Sequence, residues 1–158
     1  MNITRRSTSR RATGWLVVLT LLLGLSGGVA TTGAAPAQAL VSSATANGAL
    51  YYARSRNGAP YQYGAAGPRR FDCSGLTMWS YARAGRKLPR TAQQQYRATV
   101  RVSKAWRRPG DLVFFMSRGV AYHVGIYAGA NRFWHAPHTG DHVRLAVLWT
   151  AVAYGRVR

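Results

Sequence analysis

The chain contains no glutamate, and its only acids are Asp72, Asp111 and Asp141. It has one cysteine, Cys73, so no disulfide can form within it. It has no close histidine pair of the H-x-x-x-H type, and His135 and His138 stand three apart across a proline, so no metal site is expected. It has no phosphate loop, dinucleotide fingerprint, internal repeat or heptad pattern, which leaves no expected cofactor and no second domain. Its apolar run from Trp15 to Leu25 falls short of the roughly 20 residues that a membrane helix needs.

What is there begins with basic charge. The 158 residues hold 22 Lys and Arg, for a formal net charge of +19. Arg5, Arg6, Arg10 and Arg11 precede the apolar run, and small residues and Ala37-Gln38-Ala39 follow it. That is the pattern of an export signal over 1–39, cleaved after Ala39 and leaving one domain over 40–158. The route, general secretory or twin-arginine, stays open. Removing four arginines from 22 leaves 18 Lys and Arg against three acids, about +15. Such a field attracts polyanions, and export argues against nucleic acid as the partner. A lone thiol in an oxidising compartment is a liability unless it is buried or used.

The coarse pattern is helices first and strands later. Ser42 and Ser43 cap a helix to about Arg56, a second runs from Cys73 to Ala84 with Gly85 as its stop, and Thr91 caps a short third through Tyr96. After Pro109-Gly110 come five strand-like runs: Asp111 to Met116, Tyr122 to Tyr127, Asn131 to His135, Val143 to Leu148 and Ala153 to Val157. This order predicts an α+β fold with an antiparallel sheet. On the second run His123, Gly125 and Tyr127 face one way and Val124, Ile126 and Ala128 the other.

Six short motifs follow one another in order: Pro60-Tyr61-Gln62-Tyr63-Gly64, Phe71-Asp72-Cys73-Ser74-Gly75-Leu76, Leu88-Pro89-Arg90-Thr91 with Gln93 to Gln95, Arg108-Pro109-Gly110-Asp111, His123-Val124-Gly125-Ile126-Tyr127 and His135-Ala136-Pro137. Together they resemble the NlpC/P60 family of bacterial cell-wall cysteine peptidases. The resemblance implies a papain-like fold with N-terminal helices packed on a C-terminal antiparallel sheet, and a catalytic set of Cys73, His123 and His135. It implies hydrolysis of peptidoglycan stem peptides, usually between D-glutamate and the following diamino acid. It also suggests Tyr61 at the oxyanion or lining the cleft.

The residue types suit that chemistry. A cysteine at a helix start beside an imidazolium is expected to have its pKa lowered, and the free N–H groups there suit an oxyanion. His123 would act as base and acid, with His135, preferred to His138, orienting it. Asp72 and Ser74 either hold substrate or cap the helix, and Asp111 is expected to fix a turn. Arg69-Arg70, before the nucleophile motif, either favours acidic substrate groups or is solvated loop. Alternative functions are a papain-like thiol amidase or acyl-transfer enzyme, or a non-catalytic cationic wall-binding protein. The expected protein is a secreted monomer, in the cell envelope, with anionic wall polymers as possible further partners of its basic surface.

Overall fold

The computed structural model describes residues 39–158, so all but the last residue of the expected export signal lies outside the described residues. Three helices come first. Helix α1 (Ser43–Arg54) begins where the Ser42 hydroxyl accepts the Thr45 N–H at 3.1 Å, a serine N-cap. Its buried face is Ala46, Ala49 and Ala53, small residues at helical spacing that let it lie close on its neighbour. Helix α2 (Cys73–Arg83) starts at an Asp72 cap, and Gly85 follows its end with φ of 84°. Helix α3 (Ala92–Ala98) opens with a complete capping box between Thr91 and Gln94.

Six strands follow: β1 (Val100–Val102), β2 (Leu112–Ser117), β3 (Val120–Gly129), β4 (Arg132–His135), β5 (Arg144–Val147) and β6 (Ala153–Arg156). They form one sheet in the order β1-β6-β2-β3-β4-β5, with every pair antiparallel. The fold is α+β, as the order of elements predicted. All five expected strands form, within a few residues of their expected ends. Strand β1 was not expected. It is a three-residue edge of basic and branched residues, and pairing with β6 makes it a strand.

Alternation along the central strands sorts the core. Leu112, Phe114, Val124, Ile126 and Trp134 join the residues buried under the helices. Val113, Phe115, Tyr127, Phe133 and Tyr154 make a second cluster, closed by Leu148 and Val152. Burying each such side chain contributes about 1.5–3 kcal/mol. The β2–β3 register slips between Phe115 and Met116, because Phe115 faces His123 while Met116 faces Ala121. The extra residue is Tyr122, and a bulge next to His123 bends the strand and re-aims its side chains. Asp111 does fix a turn: it accepts the Arg108 N–H at 2.8 Å and pairs with Arg156 at 2.9 Å.

Candidate active site

The motif around Cys73 is explained residue by residue. Asp72 is buried and caps α2, with Oδ1 accepting the Gly75 N–H at 2.7 Å. Its Oδ2 accepts the Gly64 N–H at 2.9 Å and pairs with Arg90. Ser74 is buried; its hydroxyl bonds Asp72 Oδ1 at 3.3 Å and accepts from Arg90 at 3.0 Å. At position 75 a Cβ would overlap the Ala65 carbonyl oxygen, so only glycine lets the preceding loop lie on the first turn of the helix. Asp72 thus caps the helix, Ser74 braces the Asp72–Arg90 pair, and the polar atoms of both are engaged within the protein itself. The four guanidinium and amide donors around Asp72 hold its carboxyl below the usual range against the opposing effect of burial.

Cys73 is the first residue of α2 and is partly exposed. The backbone N–H groups of Val124, the residue after His123, and of Ser74 both favour its thiolate. Strand β4 pairs with β3 only as far as Ile126, so the N–H of Val124 lies past the paired stretch. The sulfur therefore meets the strand that carries the histidine. Its acidity differs from expectation. Burial pushes the thiol up, the Asp72 carboxylate adds to that, and the Val124 and Ser74 hydrogen bonds pull the other way without winning. The expected lowering assumed a charged imidazole beside the sulfur. Burial instead lowers His123 to about 4, with His138 adding to the effect. Burial, then His123 and Arg144, take His135 to about 3. The resting site is a neutral thiol with neutral imidazoles.

His123 Nε2 lies 2.9 Å from His135 Nδ1. If His123 Nδ1 is the free base, Nε2 carries the proton and donates to His135, which then holds its own proton on Nε2. That nitrogen is buried and has no partner among the described residues. The ring lies instead against Phe133, with centroids 4.4 Å apart, and Trp149, at 6.0 Å. A neutral imidazole in such a place orients its neighbour without bringing a second charge.

Cys73, His123, His135 and Tyr61 line one open cleft of about 570 Å³, with Trp149 and Arg144 on its rim and His138 beside them. A larger cleft, of about 720 Å³, lies beyond Trp149 but holds neither the thiol nor a histidine. Tyr61 lines the same cleft as the sulfur, and burial, with the thiolate that Cys73 becomes at high pH and the Asp72 carboxylate adding to it, raises its hydroxyl pKa. Arg69 and Arg70 are exposed and line neither side of the thiol.

Comparison with known proteins decides the lineage: the family model described as NlpC/P60 family matches residues 58–156. The chain belongs to the NlpC/P60 family. A probable endopeptidase of Corynebacterium glutamicum is 44% identical over 103 residues, covering 65% of this chain and 48% of the relative. The bifunctional muramidase/DL-endopeptidase CwlT of Bacillus subtilis is 48% identical over 87 residues, 52% of this chain and 26% of CwlT. Murein DD-endopeptidase MepH of Escherichia coli is 39% identical over 97 residues, 58% of this chain and 36% of MepH. The chain spans about half or less of these relatives. A crystal structure of an NLP/P60 lipoprotein-like protein from Staphylococcus aureus superposes with a TM-score of 0.66 at 34% identity, over 79% of this chain and 45% of that one. The NlpC/P60 domain here thus carries the same helix-on-sheet arrangement.

Two positioning residues escaped the sequence reading. Gln95 is fully buried; its amide donates to the carbonyls of Ser74 and Pro89 and accepts from the Thr77 hydroxyl at 2.7 Å. Gln93 accepts the Ala121 N–H at 2.7 Å. Helix α3 therefore ties the first turn of the cysteine helix to the histidine strand. The signal was the run of three glutamines in the third of the six motifs, which carried no role there.

Proposed function

We propose that the protein is an exported cysteine endopeptidase that hydrolyses peptidoglycan stem peptides at the bond between D-glutamate and the diamino acid. One observation carries the reading: a helix-start thiol shares an open cleft with a histidine pair 2.9 Å apart. Export rests on the basic, apolar and A-x-A pattern over 1–39. The relatives' names support the substrate class, and they include both DL- and DD-endopeptidases.

Hydrolysis then proceeds through a thioester in two halves. His123 Nδ1 takes the Cys73 proton as the sulfur attacks the scissile carbonyl. Negative charge moves to the carbonyl oxygen, where the Cys73 N–H, with no acceptor inside its helix, is available to it. The imidazolium of His123 then gives its proton to the leaving amine, and the C–N bond breaks to leave a thioester. Water, giving a proton to His123, attacks that thioester, and the thiolate departs with the proton regained. His135 accepts from His123 Nε2 throughout and keeps the ring in line. Because both partners start neutral, charge separates only as attack begins.

All three carboxylates are paired with arginines, Asp72 with Arg90, Asp111 with Arg156 and Asp141 with Arg144. The remaining basic side chains therefore lack an internal counter-charge, which supports adhesion to anionic wall polymers. The test of the activity is digestion of purified wall by the domain over 40–158, with fragments identified by mass spectrometry. The expected products end in D-glutamate and begin with the diamino acid. Intact stem peptides, or full activity in Cys73→Ala, would refute the proposal.

A further inference from the structure

His123 protonates the leaving amine, so the leaving residue must lie on the His123 side of the sulfur. Each flank of Cys73 carries an arginine paired with an aspartate, but the two flanks present different charge. On the flank away from the histidines, both Arg90 and Asp72 line a cleft of about 390 Å³, whereas on the histidine flank Arg144 lines the cleft and its partner Asp141 does not. On the histidine flank, Arg144 is the one lining residue that is charged at every working pH. It stands opposite His135 in the β4–β5 register.

Arg144 is held in place. Val143, next to it, is fully buried, and its N–H and C=O bond Ala59 and Gly58 at 2.8 Å each. Asp141 is tied by its carbonyl to the Tyr61 N–H at 2.8 Å, and its carboxylate takes Arg144 Nη2 at 2.9 Å. Oδ1 of Asp141 also accepts the His142 N–H at 2.7 Å, so part of its charge is spent on the backbone. A guanidinium has five N–H donors in a rigid fork, and Asp141 engages one nitrogen. The Arg144 side chain is 48% exposed and lines the cleft, which leaves donors for a ligand.

Resting on the endopeptidase reading, we infer that Arg144 is a substrate-binding residue that selects a free carboxylate on the side chain of the leaving diamino acid. A stem whose diamino acid carries that carboxylate is then preferred to one amidated there, and to one whose side chain ends in a plain amine. Asp141 acts through Arg144, as a positioning residue.

The experiment uses two synthetic stem peptides that differ only in a carboxylate or carboxamide on the leaving residue's side chain. The wild-type domain is expected to favour the carboxylate peptide in kcat/KM by at least about tenfold, the scale of a charge-assisted hydrogen bond. Arg144→Gln should lose activity on the carboxylate peptide and bring the ratio close to one, and Arg144→Lys should fall between. A merely structural role would lower both peptides alike and keep the ratio, which would overturn the inference. Equal cleavage of both by the wild type would also overturn it, with the endopeptidase reading intact. Cleavage of neither would sink that reading and this inference with it.

Discussion

Replacing Asp72 with asparagine separates architecture from substrate contact. Asparagine caps a helix as well as aspartate does, so the bond from the Gly75 N–H survives on the amide oxygen. The amide nitrogen, in place of Oδ2, then turns donors toward two other donors, the Gly64 N–H and Arg90 Nη2. Losing the Gly64 bond at a buried side chain costs about 1–2 kcal/mol. The Arg90 pair adds about 1 kcal/mol, taken low because the Arg90 side chain is 38% exposed. The total, about 2–3 kcal/mol, leaves a domain of this size folded and lowers its urea midpoint by roughly 1–2 M. The same change removes the carboxylate that raises the Cys73 thiol, while Arg90 remains beside it. The thiol should therefore become more acidic even as the fold weakens. Urea titration reads the first effect, and the pH dependence of alkylation by iodoacetamide reads the second. An unchanged midpoint with a loss confined to kcat/KM would refute the structural role. An alkylation profile that stays put, or moves to higher pH, would refute the electrostatic one.

Acid should weaken the fold well above the carboxylate range. The folded pKa values of His123 and His135 lie near 4 and 3, below the value of about 6.5 for an unfolded histidine, so the unfolded chain binds more protons between these limits. Stability is then full above about pH 6.5 and falls with pH toward 3, with a loss on the order of 5 kcal/mol at pH 4.5, about half from each histidine; urea midpoints equal at pH 7 and 4.5 would contradict this. Gly75→Ala should cost about 3 kcal/mol or more, because its Cβ meets the backbone of Ala65, whereas glycine to alanine in an open helix interior gains about 1 kcal/mol. A thermal midpoint that rises would show that the loop and helix are not in that contact.

Local chemistry made much of this molecule readable in one dimension. Ser42, Asp72 and Thr91 sit where a side-chain oxygen is needed at a helix start, and each does cap its helix. Alternation after Gly110 marks strands because neighbouring side chains in a strand face opposite ways. The order of Cys73, His123 and His135 in their motifs named the candidate site, since these residue types suit nucleophile, base and orienting group. Strand β1 and the roles of Gln93 and Gln95 were not readable, because each depends on partners distant in the chain.

The sequence alone determined the element order, the caps, the basic charge and the chemical types in the site, all of which follow from near neighbours along the chain. Tertiary structure decided the rest: which residues Asp72 and Asp141 hold, how α3 braces the sulfur's helix against β3, and which charge faces the cleft. It also reversed the expected acidity of the thiol. Desolvation depends on what packs around a group, and no spacing of letters records how much water folding removes from Cys73 and its two histidines.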